Sequence, residues 1–330
     1  MILTVTLNTA LDITYRTPRL VPHATHRVSE VTERPGGKGL NVARVLAALG
    51  HETVVTGFAG GRTGDVLREL LPVAPDPRGR AFSPPADAPV DAPAAFSPPV
   101  DALVPIAGAT RRTIAVVDET TGDTTQLNEP GPVVSPAEWA AFLARYEELL
   151  GGADAVALCG SLPPGIHVGA YADLVRAARG AGVPVLLDTS GEPLRRGIAA
   201  RPDLVKPNAD ELARLTGSRE PLRATRDARR RGAHAVVASL GPDGVLAATP
   251  DGVWRAGPPA PAKGNPTGAG DSAVAGLLSA LVEHLPWPAR LARAVALSTA
   301  TVLSPVAGEF DPVAYDELLA RVRVTEQPTQ

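Results

Sequence analysis

The chain has 330 residues, of which 44% are hydrophobic and 20% charged, and a formal net charge of −3. That length can bury a large core, and the charge gives no electrostatic case for nucleic acid or an anionic membrane, which leaves small molecules as the expected partners. A single cysteine, Cys159, excludes an internal disulfide and fits a reducing, cytoplasmic setting. Set in an apolar segment with no histidine nearby in sequence, it reads as a small core residue rather than a nucleophile.

Residues 2–7 are apolar and lack a positive region ahead of them, so they read as a first strand, not a signal peptide. Val42, Val45, Leu46 and Leu49 fall at the i, i+3, i+4, i+7 spacing and predict a helix over 40–49, ended by Gly50. A strand at 53–56 and a short helix at 64–71 follow. Residues 153–158, 183–188, 204–206 and 235–239 are short apolar runs, and helical stretches at 168–181 and 194–200 separate the first three. This alternation predicts a mostly parallel sheet with helices on both faces and ligands beyond the carboxyl ends of the strands. Residues 13–34 and 110–128 alternate polar and apolar side chains without a helical period. They predict a small extra sheet, exposed on one face and suited to a lid. No apolar run is long enough to span a bilayer.

Residues 72–105 hold ten of the 34 prolines and a near-repeat of period 14, Ala81-Phe82-Ser83-Pro84-Pro85 and Ala95-Phe96-Ser97-Pro98-Pro99. Proline forbids a helix or a central strand, and few large apolar residues are present to build a core. The stretch reads as a flexible Pro/Ala-rich surface insertion.

Five segments carry chemistry. Asn265-Pro266-Thr267-Gly268-Ala269-Gly270-Asp271-Ser272 runs directly into an apolar helix. Its glycines let backbone N–H groups approach an anion at a helix N-terminus. Asp271 there either favours the first helical turn or takes a proton from an attacking hydroxyl. Arg34-Pro35-Gly36-Gly37-Lys38-Gly39-Leu40-Asn41 is a second glycine nest before a helix, now with a lysine and an amide; it suits a phosphate or a polyhydroxyl ligand, and a tight structural turn is the alternative. Asp12 follows the first strand, where a carboxylate accepts sugar hydroxyls or closes an Asx-turn. Lys206-Pro207-Asn208-Ala209-Asp210-Glu211 opens a helix; Asn208 and Glu211 form a capping box, hold magnesium through water, or do both. Ser239-Leu240-Gly241-Pro242-Asp243-Gly244 follows a strand, either wrapping nucleotide phosphates or turning a hairpin.

In this order and spacing the segments resemble the PfkB (ribokinase-like) carbohydrate kinases. The pattern at 36–43 is similar to the family's N-terminal motif and Thr267–Ser272 to its C-terminal one. Thr6-Leu7-Asn8, Thr110-Arg111, Cys159-Gly160-Ser161-Leu162-Pro163-Pro164-Gly165, Leu187-Asp188-Thr189-Ser190-Gly191 and Lys206-Pro207-Asn208 resemble the branch of 1-phosphofructokinase, tagatose-6-phosphate kinase and the minor 6-phosphofructokinase. The resemblance implies a single kinase domain over 1–330, a three-layer αβα sandwich of α/β class with a mostly parallel central sheet and a β-sheet lid. It implies ATP- and Mg2+-dependent phosphorylation of a ketohexose phosphate, first fructose 1-phosphate to fructose 1,6-bisphosphate, with tagatose 6-phosphate and fructose 6-phosphate as alternatives. A non-catalytic sugar-phosphate sensor on the same fold is the rival of another class, against which Asp271 argues, since a sensor needs no base.

By the same resemblance Asp271 is the general base, and Gly268, Ala269 and Gly270 form an anion hole. Asp12, Gly36, Gly37 and Asn41 hold the sugar, and Lys38 and Arg111 grip its phosphate, with Ser161 in the same pocket. Lys206, Asn208, Ser239, Gly241 and Gly244 serve the nucleotide, and Glu211 and Asn208 the metal through water. Pairing of two chains through the lid is compatible with this fold. The chain departs from the branch at Thr9, where proline is usual, at Thr113, where asparagine is usual, and over residues 290–303, which lack a glycine-rich ending.

Overall fold

The computed structural model describes residues 1–72, 97–304 and 308–328. In chain order the elements begin β1 (Ile2–Thr6), β2 (Ala10–Thr17), β3 (Glu30–Gly36), α1 (Lys38–Ala48), β4 (Thr53–Ala59) and α2 (Gly61–Leu70). Next come β5 (Val100–Asp101), β6 (Val104–Pro105), β7 (Arg111–Asp118), β8 (Thr124–Asn128), α3 (Pro136–Leu150), β9 (Ala155–Cys159) and α4 (Ala170–Gly180). The chain continues through β10 (Val185–Asp188), α5 (Gly191–Ala199), β11 (Leu204–Val205), α6 (Ala209–Thr216), α7 (Pro221–Arg230) and β12 (Ala235–Ser239). It closes with β13 (Val245–Thr249), β14 (Gly252–Gly257), α8 (Ala269–Val282), α9 (Trp287–Leu303), α10 (Pro312–Leu319) and β15 (Arg323–Gln327).

The main sheet runs β15-β14-β13-β12-β11-β10-β9-β1-β4-β5, with β6 also on β4. From β4 to β12 its strands are parallel, as their apolar, doubly buried sequences predict. Side chains alternate between two cores. Leu3, Val5, Val156 and Leu158 meet Phe142, Tyr146, Tyr171 and Leu174 from α3 and α4. Ile2, Ala155, Ala157 and Cys159 face α1, α8 and α9. The result is the expected three-layer αβα sandwich. Cys159 is fully buried there, and burial holds its thiol well above the usual range, so it is the inert core residue that the sequence indicates.

Three strands were not legible in the sequence: β13, β14 and β15 extend the sheet antiparallel. The short 3-10 turn Gly241–Asp243 joins β12 to β13, so the hairpin reading of 239–244 holds structurally. The lid is a separate sheet of order β3-β2-β7-β8, with β2 parallel to β7. Its edge strand β8 is exposed throughout.

The expected insertion at 72–105 needs a correction at its end. Val100–Asp101 and Val104–Pro105 pair with β4, and Ala102, Leu103 and Val104 are buried. Pro105 is tolerated because this is the edge of the sheet. Residues 73–96, with the first copy of the near-repeat, lie outside the described residues.

The parallel strands deliver their carboxyl ends to one edge. The chain leaves β1 toward β4 on one side and returns to β9 on the other, so the switch point lies at β1 and β9. Asn8, Ser161 and Lys206 follow strands at that edge, Asp188 ends one, Asp12 lies near the start of lid strand β2, and the N-termini of α1 and α8 point to it.

Candidate active site

The first turn of α8 holds Asp271, only 8% exposed. Gly268 precedes it with φ 83, and a Cβ there would stand 2.4 Å from Gly308 Cα. Glycine is therefore required twice, for the left-handed backbone and for the close approach of a second chain segment. The Gly308 N–H seals that approach by donating to Thr267 O at 3.1 Å. Ala269 N–H donates to Pro266 O at 3.1 Å. The N–H groups of Gly268, Gly270 and Asp271 make no backbone hydrogen bond among the described residues, so they are open donors at this helix start.

Burial pushes the Asp271 carboxyl up to about 6, and nearby Asp188 adds to the rise. Lys38, the Asn41 hydrogen bond and Lys206 oppose it. Asn41 Nδ2 donates to Asp271 Oδ2 at 2.8 Å. A carboxylate tuned to this range is basic enough to accept a proton and still ionised near neutrality.

Beside it, Asp188 is 1% exposed and binds two cations. Lys38 Nζ donates to its carboxylate oxygens at 3.2 and 3.3 Å, and Lys206 Nζ lies 3.7 Å away. Burial alone would lower the Lys38 ammonium. The carboxylates of Asp188, Asp271 and Glu211 outweigh burial and hold it above its ordinary value, so Lys38 stays charged. A Cβ at Gly270 would come within 3.7 Å of Lys206 Nζ, which places that ammonium against the start of α8. One buried acid thus sets two ammonium groups around the open end of the helix.

The sugar-side residues form a second group. Asp12 packs against Gly36 so tightly that a Cβ there would meet its carboxyl carbon at 2.1 Å. Burial raises the Asp12 carboxyl; Arg44, a Thr113 hydrogen bond, Arg111 and Arg34 counter it. Gly37 has φ 104, and a Cβ on it would lie 2.7 Å from the Thr6 methyl. Arg44 is buried one turn beyond Asn41 and donates to Asn41 Oδ1. Because arginine only donates, this contact turns the Asn41 amide so that its NH2 faces Asp271. Arg34 pairs with Glu309 at 2.9 Å and also adjoins Arg44 electrostatically.

Arg111 donates to Asn8 O, Thr113 Oγ1 and Glu129 O, each at 3.3 Å. Asn8 Nδ2 reaches Ser161 Oγ at 3.1 Å, so Arg111, Asn8 and Ser161 form one chain of contacts. Arg111 and Lys38 share no partner: Lys38 bonds Asp188 and feels the charges of Asp271 and Glu211, whereas Arg111 feels those of Asp12 and Glu129. The two departures from the family branch also gain a physical account. Thr113 bonds both Asp12 and Arg111 in place of an amide. Thr9 donates its hydroxyl to Phe58 O, tying the turn to β4 as no proline could.

At the far side, Asn208 and Glu211 form a capping box: Asn208 N–H to Glu211 Oε2 at 2.9 Å, and Glu211 N–H to Asn208 Oδ1 at 2.8 Å. Glu211 Oε1 has no hydrogen bond among the described residues, and its charge is felt at Lys38. Asn208 bridges to Ser239, which brings the 206–211 and 239–244 segments together. Gly241 and Gly244 have φ 61 and 82 in the intervening turn. Among the described residues no three His, Cys, Asp or Glu side chains cluster as a metal cage. One free carboxylate oxygen fits a magnesium ion held mainly by water and phosphate.

Sequence reasoning missed the roles of Arg44, Asp188 and Glu309. Arg44 is the one it had a signal for, since it lies one helical turn from Asn41.

The sequence pattern of pfkB family carbohydrate kinases matches residues 5–72 and 100–313, a break that falls on the proline-rich stretch. Phosphofructokinase-2 from Escherichia coli, in complex with fructose-6-phosphate, superposes with a TM-score of 0.82 at 30% identity, over 97% of this chain and 98% of that one. The tetrameric inhibited form of the same enzyme gives 0.83 at 29% identity, over 97% and 98%. A candidate 1-phosphofructokinase from Thermotoga maritima gives 0.79 at 27% identity, over 99% and 100%. With the family pattern spread over most of its length and a ribokinase-like sandwich under a four-stranded lid, this chain belongs to the pfkB family of carbohydrate kinases.

Proposed function

We propose that the protein transfers the γ-phosphoryl group of ATP to a hydroxyl of a ketohexose monophosphate, with Asp271 as general base. The observation that carries this reading is the Asp271 environment: a buried carboxylate held near 6, next to open N–H donors and two fixed ammonium groups. A binding-only sensor has no use for that tuning.

In this reading Asp12 and Asn41 orient the sugar, and Asp271 accepts the proton of the attacking hydroxyl. Lys38 and the N–H groups of Gly270 and Asp271 stabilise charge at the transferring group, where positioning and electrostatics supply most of the rate. Lys206, Asn208, Ser239, Gly241 and Gly244 hold the nucleotide phosphates. Glu211, with Asn208, would hold magnesium through water, and the ion would supply charge neutralisation on the phosphates. Arg111 and Ser161 receive the phosphate already on the sugar, since a permanently charged guanidinium suits that task. Closure of the lid over the edge excludes water and protects ATP from hydrolysis.

Fructose 1-phosphate is the first acceptor in this proposal, in line with the motif branch. Fructose 6-phosphate is the second, favoured by the Escherichia coli relative solved with that sugar. Both converge on fructose 1,6-bisphosphate. Steady-state kinetics with each ketose phosphate separate them: the true acceptor gives the larger kcat/KM, and equal failure of both rejects the substrate class. Pairing of two chains through the exposed lid sheet, in a cytoplasmic setting, completes the proposal. Sedimentation at several protein concentrations tests the pairing.

A further inference from the structure

We infer that a second cleft, at the amino-terminal edge of the main sheet, binds a small organic anion carrying two or more phosphoryl groups. The cleft has a volume of about 720 Å3 and is lined by Arg179, Arg201, Arg226, Arg229, Arg230 and His234. Among the described residues no aspartate or glutamate lines it. It lies where β11 and β12 begin, at Leu204 and Ala235, whereas the candidate active site lies where those strands end. A five-residue strand separates the two by about 17 Å, so one ligand cannot occupy both.

The positive charge is concentrated here although the whole chain is net −3. Arg226, Arg229 and Arg230 sit at i, i+3 and i+4 on α7 and so share a face. Like charges at that spacing repel each other, and nothing on the helix relieves them. Its one acid, Asp227, is taken by Arg231 at 3.0 Å. Backbone carbonyls accept from three of these guanidinium groups. Arg229 Nε donates to His234 O at 2.9 Å, Arg226 to Pro328 O at 3.4 Å, and Arg179 to Arg201 O. Arg179, Arg201, Arg229 and Arg230 form no ion pair with a carboxylate among the described residues. Arg201 also adopts φ 65, a left-handed backbone that a long side chain seldom takes.

Guanidinium forks without a carboxylate partner match phosphate oxygens in pairs, which selects phosphoryl groups over a diffuse negative surface. Four such arginines in one cleft, Arg179, Arg201, Arg229 and Arg230, call for more than one phosphoryl group. The volume suits a nucleotide or a sugar bisphosphate. The negative charge outside the cleft argues against a long polyanion such as DNA. The site touches none of the groups assigned to transfer, so its ligand acts as an effector or a bystander to the chemistry.

The test is calorimetric titration of the full-length protein with inorganic tripolyphosphate, compared with the variant Arg201→Gly/Arg230→Gln. Glycine suits the φ at 201, so the variant keeps its fold; Arg179→Gln gives a second, independent change. The expected result is a saturable binding event weakened by about tenfold or more in both variants, the loss of a charge-assisted hydrogen bond, while turnover without tripolyphosphate stays within about twofold. Competition by fructose 1,6-bisphosphate or by ATP without magnesium then shows which kind of phosphorylated molecule the cleft accepts. Binding unchanged in both variants, no binding beyond the active site, or tighter binding of duplex DNA through the same arginines would each overturn the inference.

Discussion

Replacing Asp271 with asparagine should make the protein more stable while removing its activity. Burial raises this carboxyl from 3.8 to about 6, so in the unfolded chain it ionises at lower pH than in the folded one. The folded state binds the extra proton between those values, and stability is lost as pH rises through them. The full difference is worth about 3 kcal/mol at pH 8.5, and about 1.6 kcal/mol has already been lost at pH 5. Asparagine keeps an oxygen for Asn41 Nδ2 and carries no charge. Urea denaturation of wild type and Asp271→Asn at pH 5.0 and 8.5 should therefore show the variant's advantage growing by about 1.4 kcal/mol. Parallel pH dependence in the two proteins would show that Asp271 is not held in its neutral form by burial, and the reasoning behind its tuning would be wrong.

The other expectations concern its neighbours. Wild-type kcat/KM should rise with pH through an apparent value near 6, and a limb that stays flat down to pH 5 would disconnect that titration from catalysis. Asp188→Asn removes a negative charge that raises Asp271, so the limb should move to lower pH; it also leaves Lys206 without its buried partner, at about 3 kcal/mol of stability in a denaturant melt. Arg44→Met should move the limb the other way and raise the sugar KM, whereas Arg44→Lys should restore the limb in part; identical profiles for all three proteins would count against the amide-orienting role. Gly36→Ala must displace Asp12 and should raise the sugar KM with little change in the ATP KM, and a rise confined to ATP would misplace Asp12.

Much of the site was readable because its glycines and acids cluster in short segments with a local physical meaning. Gly36, Gly37 and Gly268 are needed where the backbone turns left-handed or another segment comes too close for a Cβ. The strand ends carrying Ser161 and Lys206 follow from apolar runs. Asp188 was hidden for a different reason: its partner Lys38 is 150 residues away, and no local pattern distinguishes it from a strand-terminal turn. The Asn41–Asp271 bond spans 230 residues. Proline composition concealed Val100–Asp101 and Val104–Pro105, since two-residue strands have no periodicity and Pro105 is allowed only by its edge position. The antiparallel strands β14 and β15 escaped because they are partly exposed and lack a continuous apolar run, whereas β13 is a buried apolar run whose antiparallel direction no local pattern marks.

The central claim is that Asp271 deprotonates a hydroxyl of a ketohexose phosphate for attack on ATP. It is tested most directly by coupled ADP-release kinetics over a panel of ketose phosphates and free sugars, run with wild type and Asp271→Asn. The account predicts turnover on a phosphorylated ketohexose, little on the free sugars, and a fall in kcat of about 10²–10⁴-fold in the variant. No turnover on any phosphorylated sugar, or activity in the variant within about tenfold of wild type, would contradict it.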